Sequence, residues 1–425
     1  MEFRKVKLAE VASIQTGPFG SQLHKKDYIE DGIPIITVEH LGNNYIIHEN
    51  LPGVSEKDYI RLQKYKLEKD DIVFSRVGSV DRRALVSDEE DGWLFSGRCL
   101  RVRVIDKDDV NPKYLSYLFG TYEFKEYIKS IAVGATMPSI NTKILSDIEI
   151  SIPKMEDQNR IVEMLYSIDS KVWNNKEIIE NLEQLSQTLF KHWFIDFEFP
   201  NEQGEPYKSS GGEMLESDVG EIPKEFIVKK ANEVFDINIG KTPSRKDTGM
   251  FSLKNGMTWV SIADLKEQKP FVLNSKEYLV PEAIDKYNIK MAKKNTVLLS
   301  FKLTVGRVAL ASSEMTTNEA IAHFNQVENG ISPEYTYLYL KSFNYESLGN
   351  TSSIAKAVNS KIIKNMPFLI PNGKVLNDFE LTIKPLFKQI KEIQLENQRL
   401  SDLRDILTPQ LLSGKIEIPD ELGVR

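Results

Sequence analysis

The chain writes the same passage twice. Residues 138–153, PSINTKILSDIEISIP, and residues 356–371, KAVNSKIIKNMPFLIP, share Asn141/Asn359, Lys143/Lys361, Ile144/Ile362, Ile152/Ile370 and the closing Pro153/Pro371. Five identities in sixteen are weak alone, but the flanking text matches in the same order at a nearly constant offset, as an internal duplication does. EVASIQTG (10–17) pairs with EVFDINIG (233–240), and IITVEHL (35–41) with WVSIADL (259–265). DIVFSRVGSVDRRAL (71–85) pairs with TVLLSFKLTVGRVAL (296–310), setting Ser75 on Ser300 and Arg82 on Arg307; VNPKYLSYLF (110–119) faces ISPEYTYLYL (331–340). A chain built this way folds as two copies of one architecture.

Within each copy, short apolar runs such as IPIITV, DIVFS and CLRVRVI, bounded by Gly, Asp and Asn, predict strands of a mixed α+β domain. PKYLSYLFGTYEFKEYIKS has helical spacing with a proline near its start. After each closing proline the period changes. Ile161, Leu165, Ile168, Val172, Ile179, Leu182, Leu189 and Trp193 alternate steps of three and four, with Asn175 and Ser186 in the gaps. Ile383, Leu386, Ile390, Ile393, Leu400, Leu407 and Leu411 do the same around Asn397 and Arg404. Heptads sustained this long predict a coiled coil. If the two helices run antiparallel over their full length, Asn175 faces Asn397 and the polar pair fixes register at some cost in stability. The alternative has both asparagines pointing to solvent.

The predicted fold class is therefore α+β: two pseudo-symmetric mixed α/β domains joined by two long helices that form an antiparallel coiled coil. The boundaries fall at 1–155 (first domain), 156–195 (central helix), 196–222 (linker), 223–373 (second domain), 374–412 (C-terminal helix) and 413–425 (tail).

Composition excludes several functions. Charged residues make up 28% and hydrophobic ones 41% of 425 residues, enough for cores in a soluble protein. No apolar run approaches the roughly 18 residues of a membrane span, and MEFRKVKLAEV lacks the apolar stretch of a secretion leader, so a cytoplasmic location without membrane association is expected. Cys99 is the sole cysteine and the five histidines are scattered without ligand spacing, so no metal is expected. A net charge of −7 does not exclude nucleic-acid binding, because phosphate responds to cations gathered on one face rather than to the sum. No GxxxxGK[ST] or GxGxxG element is present. NPKY (111–114) resembles the Asn-Pro-Pro-Tyr signature of amine methyltransferases but is broken by Lys113, and its repeat partner is SPEY, so it reads as a helix start. DLK (264–266) has the spacing of a nuclease acid-lysine pair without the upstream Pro-Asp.

The junction WFIDFEFPNEQGEPYKSSGGEMLESDVGEIPKEF (193–226), with GEIP opening the second domain, and the ending LTPQLLSGKIEIP (407–419), which echoes LFKHWFIDFEFP (189–200), are the most specific motifs. With them the chain resembles the specificity subunit of a type I restriction-modification system over almost its whole length. Phe226 departs from the tryptophan usual after GEIP but keeps an aromatic ring. The resemblance implies a non-catalytic, DNA-binding subunit without cofactor. Its two target recognition domains would each read one half of an asymmetric bipartite site in double-stranded DNA. The helices would set the spacer and dock two modification subunits, adenine N6-methyltransferases that hold S-adenosylmethionine and flip the base. Up to two restriction subunits, motor-nucleases using ATP and Mg, would complete the endonuclease complex. A helix of about 37 residues is about 55 Å long, which matches roughly 16 base pairs at about 3.4 Å each. An orphan subunit serving methylation only and a coiled-coil scaffold with no DNA role remain the alternatives.

Base readout requires loops that reach a groove, with lysine and arginine on the phosphates. Three pairs of matched segments offer this. The first pair is QTGPFGSQLHKKDY (15–28), with Gln22, His24, Lys25 and Lys26, and NIGKTPSRKD (238–247), with Lys241, Thr242, Ser244, Arg245 and Lys246; its glycines permit close backbone approach. The second is SRVGSVDRR (75–83), with Arg76, Ser79, Arg82 and Arg83, and SFKLTVGR (300–307), with Lys302, Thr304 and Arg307. The third is GATMPSINTK (134–143), with Thr136, Ser139, Asn141 and Lys143, and GNTSSIAKAVNSK (349–361), with Ser353, Lys356, Asn359 and Lys361; the asparagines could instead cap short helices. On the helices, Glu163, Lys171, Lys176, Glu177, Glu180, Glu183, Lys191, Lys388, Lys391, Glu392 and Glu396 are expected on the solvent side. Phe190, Trp193, Phe194, Phe197 and Phe199 are too apolar to be exposed, and are expected inside the neighbouring domain or a partner subunit.

Overall fold

The computed structural model describes residues 1–267, 270–326, 330–348 and 358–418. It comprises two compact units: Met1–Lys171 with the segment from Leu400 onward, and Val172–Arg399.

The first unit is built on a four-stranded antiparallel sheet in the order Ala12–Thr16, Cys99–Val104, Ile72–Ser75, Arg83–Leu85. The period of two along a strand sends alternate side chains to opposite faces. Ile72 and Phe74 enter one core with Leu100, Val102 and the helices Pro112–Phe119 and Tyr122–Ile131, whereas Val73 enters a second core with Ala84, Ile35, Ile36 and Phe95. Being buried on both faces explains why DIVFS reads as an unbroken apolar run.

The second unit repeats the plan. Phe235–Ile239, Ile321–Gln326, Val297–Ser300 and Val308–Ala311 occur in the same antiparallel order, and Phe271–Val272 adds a parallel edge strand. Again Val297 and Leu299 face one core and Leu298 the other. The long C-terminal helix closes the added edge: Gln394 accepts from the Phe271 amide and donates to its carbonyl, both at 3.1 Å.

From Asn141 and Asn359 onward the repeated phrase forms the same elements in the two units. Asn141 Oδ1 accepts the Ile144 amide at 2.8 Å and Asn359 Oδ1 the Ile362 amide at 3.0 Å, so each starts a helix, Thr142–Ser146 or Ser360–Lys364. The strand that follows, Glu149–Pro153 or Pro367–Ile370, pairs antiparallel with the strand that opens its domain, Phe3–Lys7 or Ile227–Lys230. The chain then enters a helix of 40 residues, Met155–Phe194 or Gly373–Leu412.

In the second unit the two helices pack antiparallel. Asn175 meets Asn397 while the Phe190 ring lies 6.1 Å from Phe379. Asn175 is buried, its Nδ2 donating to Asn397 Oδ1 at 2.8 Å and to Glu396 Oε2 at 2.7 Å. Replacing Asn175 with alanine is therefore expected to lower stability by about 1–3 kcal/mol, because Asn397 loses a buried partner. The double variant Asn175→Leu with Asn397→Leu should recover stability while loosening register. Urea titrations of the single and double variants check this, and equal losses in both would contradict it.

Three residues expected on the solvent side of the helices leave it. The Glu183 carboxylate accepts the Tyr337 hydroxyl at 2.6 Å and pairs with Lys341 at 3.2 Å. Glu396 accepts from buried Asn175 at 2.7 Å, and Lys391 donates to the Ser312 carbonyl at 3.3 Å and covers Phe271. The aromatic cluster of residues 190–199 lies as expected in the core of the second unit, where Phe194 lies 5.0 Å from Tyr335 and Phe199 stacks on Phe226 at 5.2 Å. Among the described residues no helix is long and apolar enough to cross a membrane.

Candidate nucleic-acid interface

In the first unit the matched segments converge at one end of the sheet. The Gly17 amide donates to the Cys99 carbonyl at 3.2 Å, Arg76 to Arg98 at 2.8 Å, Gly78 to Pro138 at 2.8 Å and Ile140 to Arg76 at 2.9 Å. These bonds tie residues 17–19, 76–82 and 133–141 to the turn 96–98. The Arg76 guanidinium lies over the exposed Phe19 ring at 5.7 Å and donates to the Gly97 carbonyl at 3.3 Å. His24, Lys25, Lys26, Ser79, Thr136, Asn141 and Lys143 are exposed. Gln22 accepts from the Tyr65 hydroxyl, and Ser139 Oγ donates to the Val133 carbonyl at 3.1 Å.

The second unit brings its first two segments together in the same way around residues 317–321. Gly240 donates to the Ile321 carbonyl at 3.0 Å, Lys241 to Thr317 at 2.9 Å and Phe301 to Ala320 at 2.9 Å. Thr242 donates to the Glu319 carboxylate, holding it below the usual carboxylate range. Ser244, Lys246, Lys302, Thr304, Asn359 and Lys361 are exposed. Ser353 and Lys356 lie outside the described residues.

Several of the expected contact residues serve the fold. Arg83 is buried: its Nε donates to the Ser116 carbonyl at 2.7 Å, and burial pushes the guanidinium down to about 10. It lines a cavity of about 300 Å³, open to the surface, with Tyr117, Lys125, Asp169 and Arg404. The duplicated Arg82 and Arg307 both turn inward, donating to the carbonyls of Leu41 and Ile262. Arg245 makes a two-pronged pair with Glu277 at 2.6 and 2.8 Å and covers Phe251 at 4.0 Å, which keeps the Glu277 carboxyl acidic. Lys241 Nζ donates to the Tyr287 carbonyl at 2.6 Å. The matched glycines make no room for a ligand either. A Cβ on Gly17 would overlap the Ser96 carbonyl, and one on Gly240 the Thr317 hydroxyl. The strand-to-strand turn also presents Arg98, exposed beside Arg76, which the repeat does not mark because Ala320 holds its place in the other unit.

The motifs of enzymatic appearance are structural. Asn111 Oδ1 accepts the Lys113 amide at 2.9 Å and caps the helix Pro112–Phe119. Asp264 accepts the Ser261 amide at 2.8 Å. His48 Nε2 meets Glu90 at 2.6 Å, and Glu90 is occupied further by the Ser87 amide at 2.7 Å. Burial pushes the Cys99 thiol up to about 12, which removes it as a nucleophile.

Sequence and fold comparisons agree with this geometry. The family described as "Type I restriction modification DNA specificity domain" matches residues 1–184 and again 223–404. The chain is 26% identical over 407 residues to the type I restriction enzyme MjaIX specificity subunit of Methanocaldococcus jannaschii, covering 93% of this chain and 89% of that one. It is 25% identical to the HindI specificity subunit of Haemophilus influenzae, covering 88% and 92%. In fold it is similar to the type I restriction-modification S subunit of M. genitalium, with a TM-score of 0.55, 14% identity and 96% coverage of both chains. Two family matches that coincide with two copies of one sheet plan, each followed by its long helix, establish that the chain belongs to the type I restriction-modification DNA specificity family.

Proposed function

We propose that this specificity subunit binds double-stranded DNA at a bipartite site with unlike halves, each domain reading one half through the loops gathered at the end of its sheet. The observation that carries the reading is the contrast between repeated and unrepeated residues at that end. The scaffold bonds recur, as in Ser75 to Arg82 and Ser300 to Arg307, both at 2.9 Å, whereas the exposed side chains of the first two loop pairs differ. At this end the first unit exposes His24, Lys25, Lys26 and Arg98, and the second exposes Ser244, Lys246 and Lys302. Phosphate contacts make affinity fall steeply with salt. The paired helices set the spacer and dock two adenine N6-methyltransferase subunits, which bring S-adenosylmethionine; restriction subunits bring ATP and Mg. The complex works in the cytoplasm, and this chain has no turnover of its own.

The test is to express the chain with a type I modification subunit and sequence the host DNA for N6-methyladenine. One bipartite motif is expected. Replacing His24, Lys25 and Lys26 with alanine should degrade one half of the motif, and replacing Ser244, Lys246 and Lys302 the other. A purified complex that methylates no motif would leave the scaffold reading in its place.

A further inference from the structure

We propose that Leu303 is an apolar wedge that enters the base stack of the half-site read by the second domain; the inference rests on the DNA-binding function above. Leu303 is 98% exposed and has φ +61°, in the left-handed region that side chains with a Cβ avoid. It lies between exposed Lys302 and Thr304, on the loop that the Phe301 amide ties to the Ala320 carbonyl at 2.9 Å, next to Glu319, which accepts from Thr242.

The duplication supplies an internal control. Residues 75–82 and 300–307 have equal length and the same closing bonds, so Gly78 occupies the position of Leu303. Gly78 has φ +80°, and a left-handed turn is what glycine accommodates without strain. In the second unit the residue at this position, again at positive φ, is a leucine that is almost fully exposed. The loop beneath it is braced: Ser300 Oγ donates to the Thr304 carbonyl at 2.6 Å and accepts the Arg307 amide at 3.0 Å. Folding thus bears both the strained backbone and the exposed apolar side chain without return. A backbone outlier held by its surroundings points to function. For a single apolar side chain flanked by a cation and a hydroxyl on a DNA-reading loop, the fitting occupant is a base step. Leucine is among the residues that unstack such steps and bend the duplex.

The experiment uses the complex with the modification subunit and a duplex of the methylated motif. 2-Aminopurine is placed in turn at each non-target position of the second half-site. Wild type should raise the fluorescence at one step, apart from the adenine being methylated. Leu303→Gly should abolish that rise and weaken binding by about 10-fold, the scale of one lost stacking contact, while its melting temperature equals or exceeds that of wild type. Leu303→Met should keep the signal. Unchanged fluorescence and affinity in Leu303→Gly would overturn the wedge and leave the DNA-reading function standing. Failure of wild type to bind the motif would overturn both.

Discussion

Replacing Asp169 with alanine should destabilise the first unit by about 3–5 kcal/mol, the range for breaking one side of a buried ion pair. Asp169 is buried, and it joins three elements of the unit. Its Oδ2 accepts the Tyr117 hydroxyl at 2.7 Å from the helix Pro112–Phe119, and its Oδ1 accepts Arg404 Nη1 at 2.8 Å from the C-terminal helix. Its charge also offsets Arg83, which pairs with no carboxylate among the described residues and feels repulsion from Arg404. Without Asp169, two arginines face one cavity with one carboxylate fewer and a buried hydroxyl loses its acceptor. Arg404 keeps Asp405 as a partner at 2.8 Å, which sets the lower end of the range. The urea midpoint of the first unit checks this. The double variant Asp169→Leu with Arg404→Leu should recover much of the loss, since apolar residues replace buried pairs well when both members go. A loss below about 1 kcal/mol for Asp169→Ala would mean that the pair is solvated like a surface one.

This network also marks where reading from sequence ends. The duplication and the heptads were legible because they rest on periodicity, and burial enforces period: every second residue of Ile72–Ser75 must face a different core. Asn175 and Asn397 were legible as interruptions of an apolar stripe. The contact residues were harder for a physical reason. Identity between the halves draws the eye to Arg82/Arg307 and Asn141/Asn359, yet what two copies of a fold must share is their scaffold, and these residues bind carbonyls and cap helices. Side chains that distinguish two half-sites have to differ, so a repeat conceals them. Arg83 shows a second limit. It adjoins Arg82 in sequence, and its buried course depends on the Ser116 carbonyl, 33 residues further along the chain.

The second unit should lose about 3 kcal/mol of stability as pH falls from 6.5 to 4, through His323 alone. His323 is fully buried in the strand Ile321–Gln326, and burial pushes its pKa from 6.5 down to about 4. The local bonds give the reason. The Thr317 hydroxyl donates to the Asn318 carbonyl at 3.1 Å, so it takes the His323 Nε2 proton at 2.7 Å as acceptor. Nδ1 is left bare and buried without a partner, and a proton added there would have nothing to donate to. The sign follows from which state holds more protons. The unfolded chain protonates its histidine near 6.5 and the native state only near 4, so between these values acid favours unfolding; above 6.5 the contribution is fully present, and below 4 no more is lost. Carboxylates titrate in the same range, so the comparison is with His323→Gln, which keeps a neutral hydrogen-bonding group. The difference between the two stability profiles should change across the window 4–6.5 and be flat outside it. Thr317 also accepts the Lys241 amide at 2.9 Å through its carbonyl, so the acid effect should reach the loop of Lys246 and weaken DNA binding before the unit unfolds. Parallel profiles for wild type and His323→Gln would show that Nδ1 has a proton acceptor or solvent within reach.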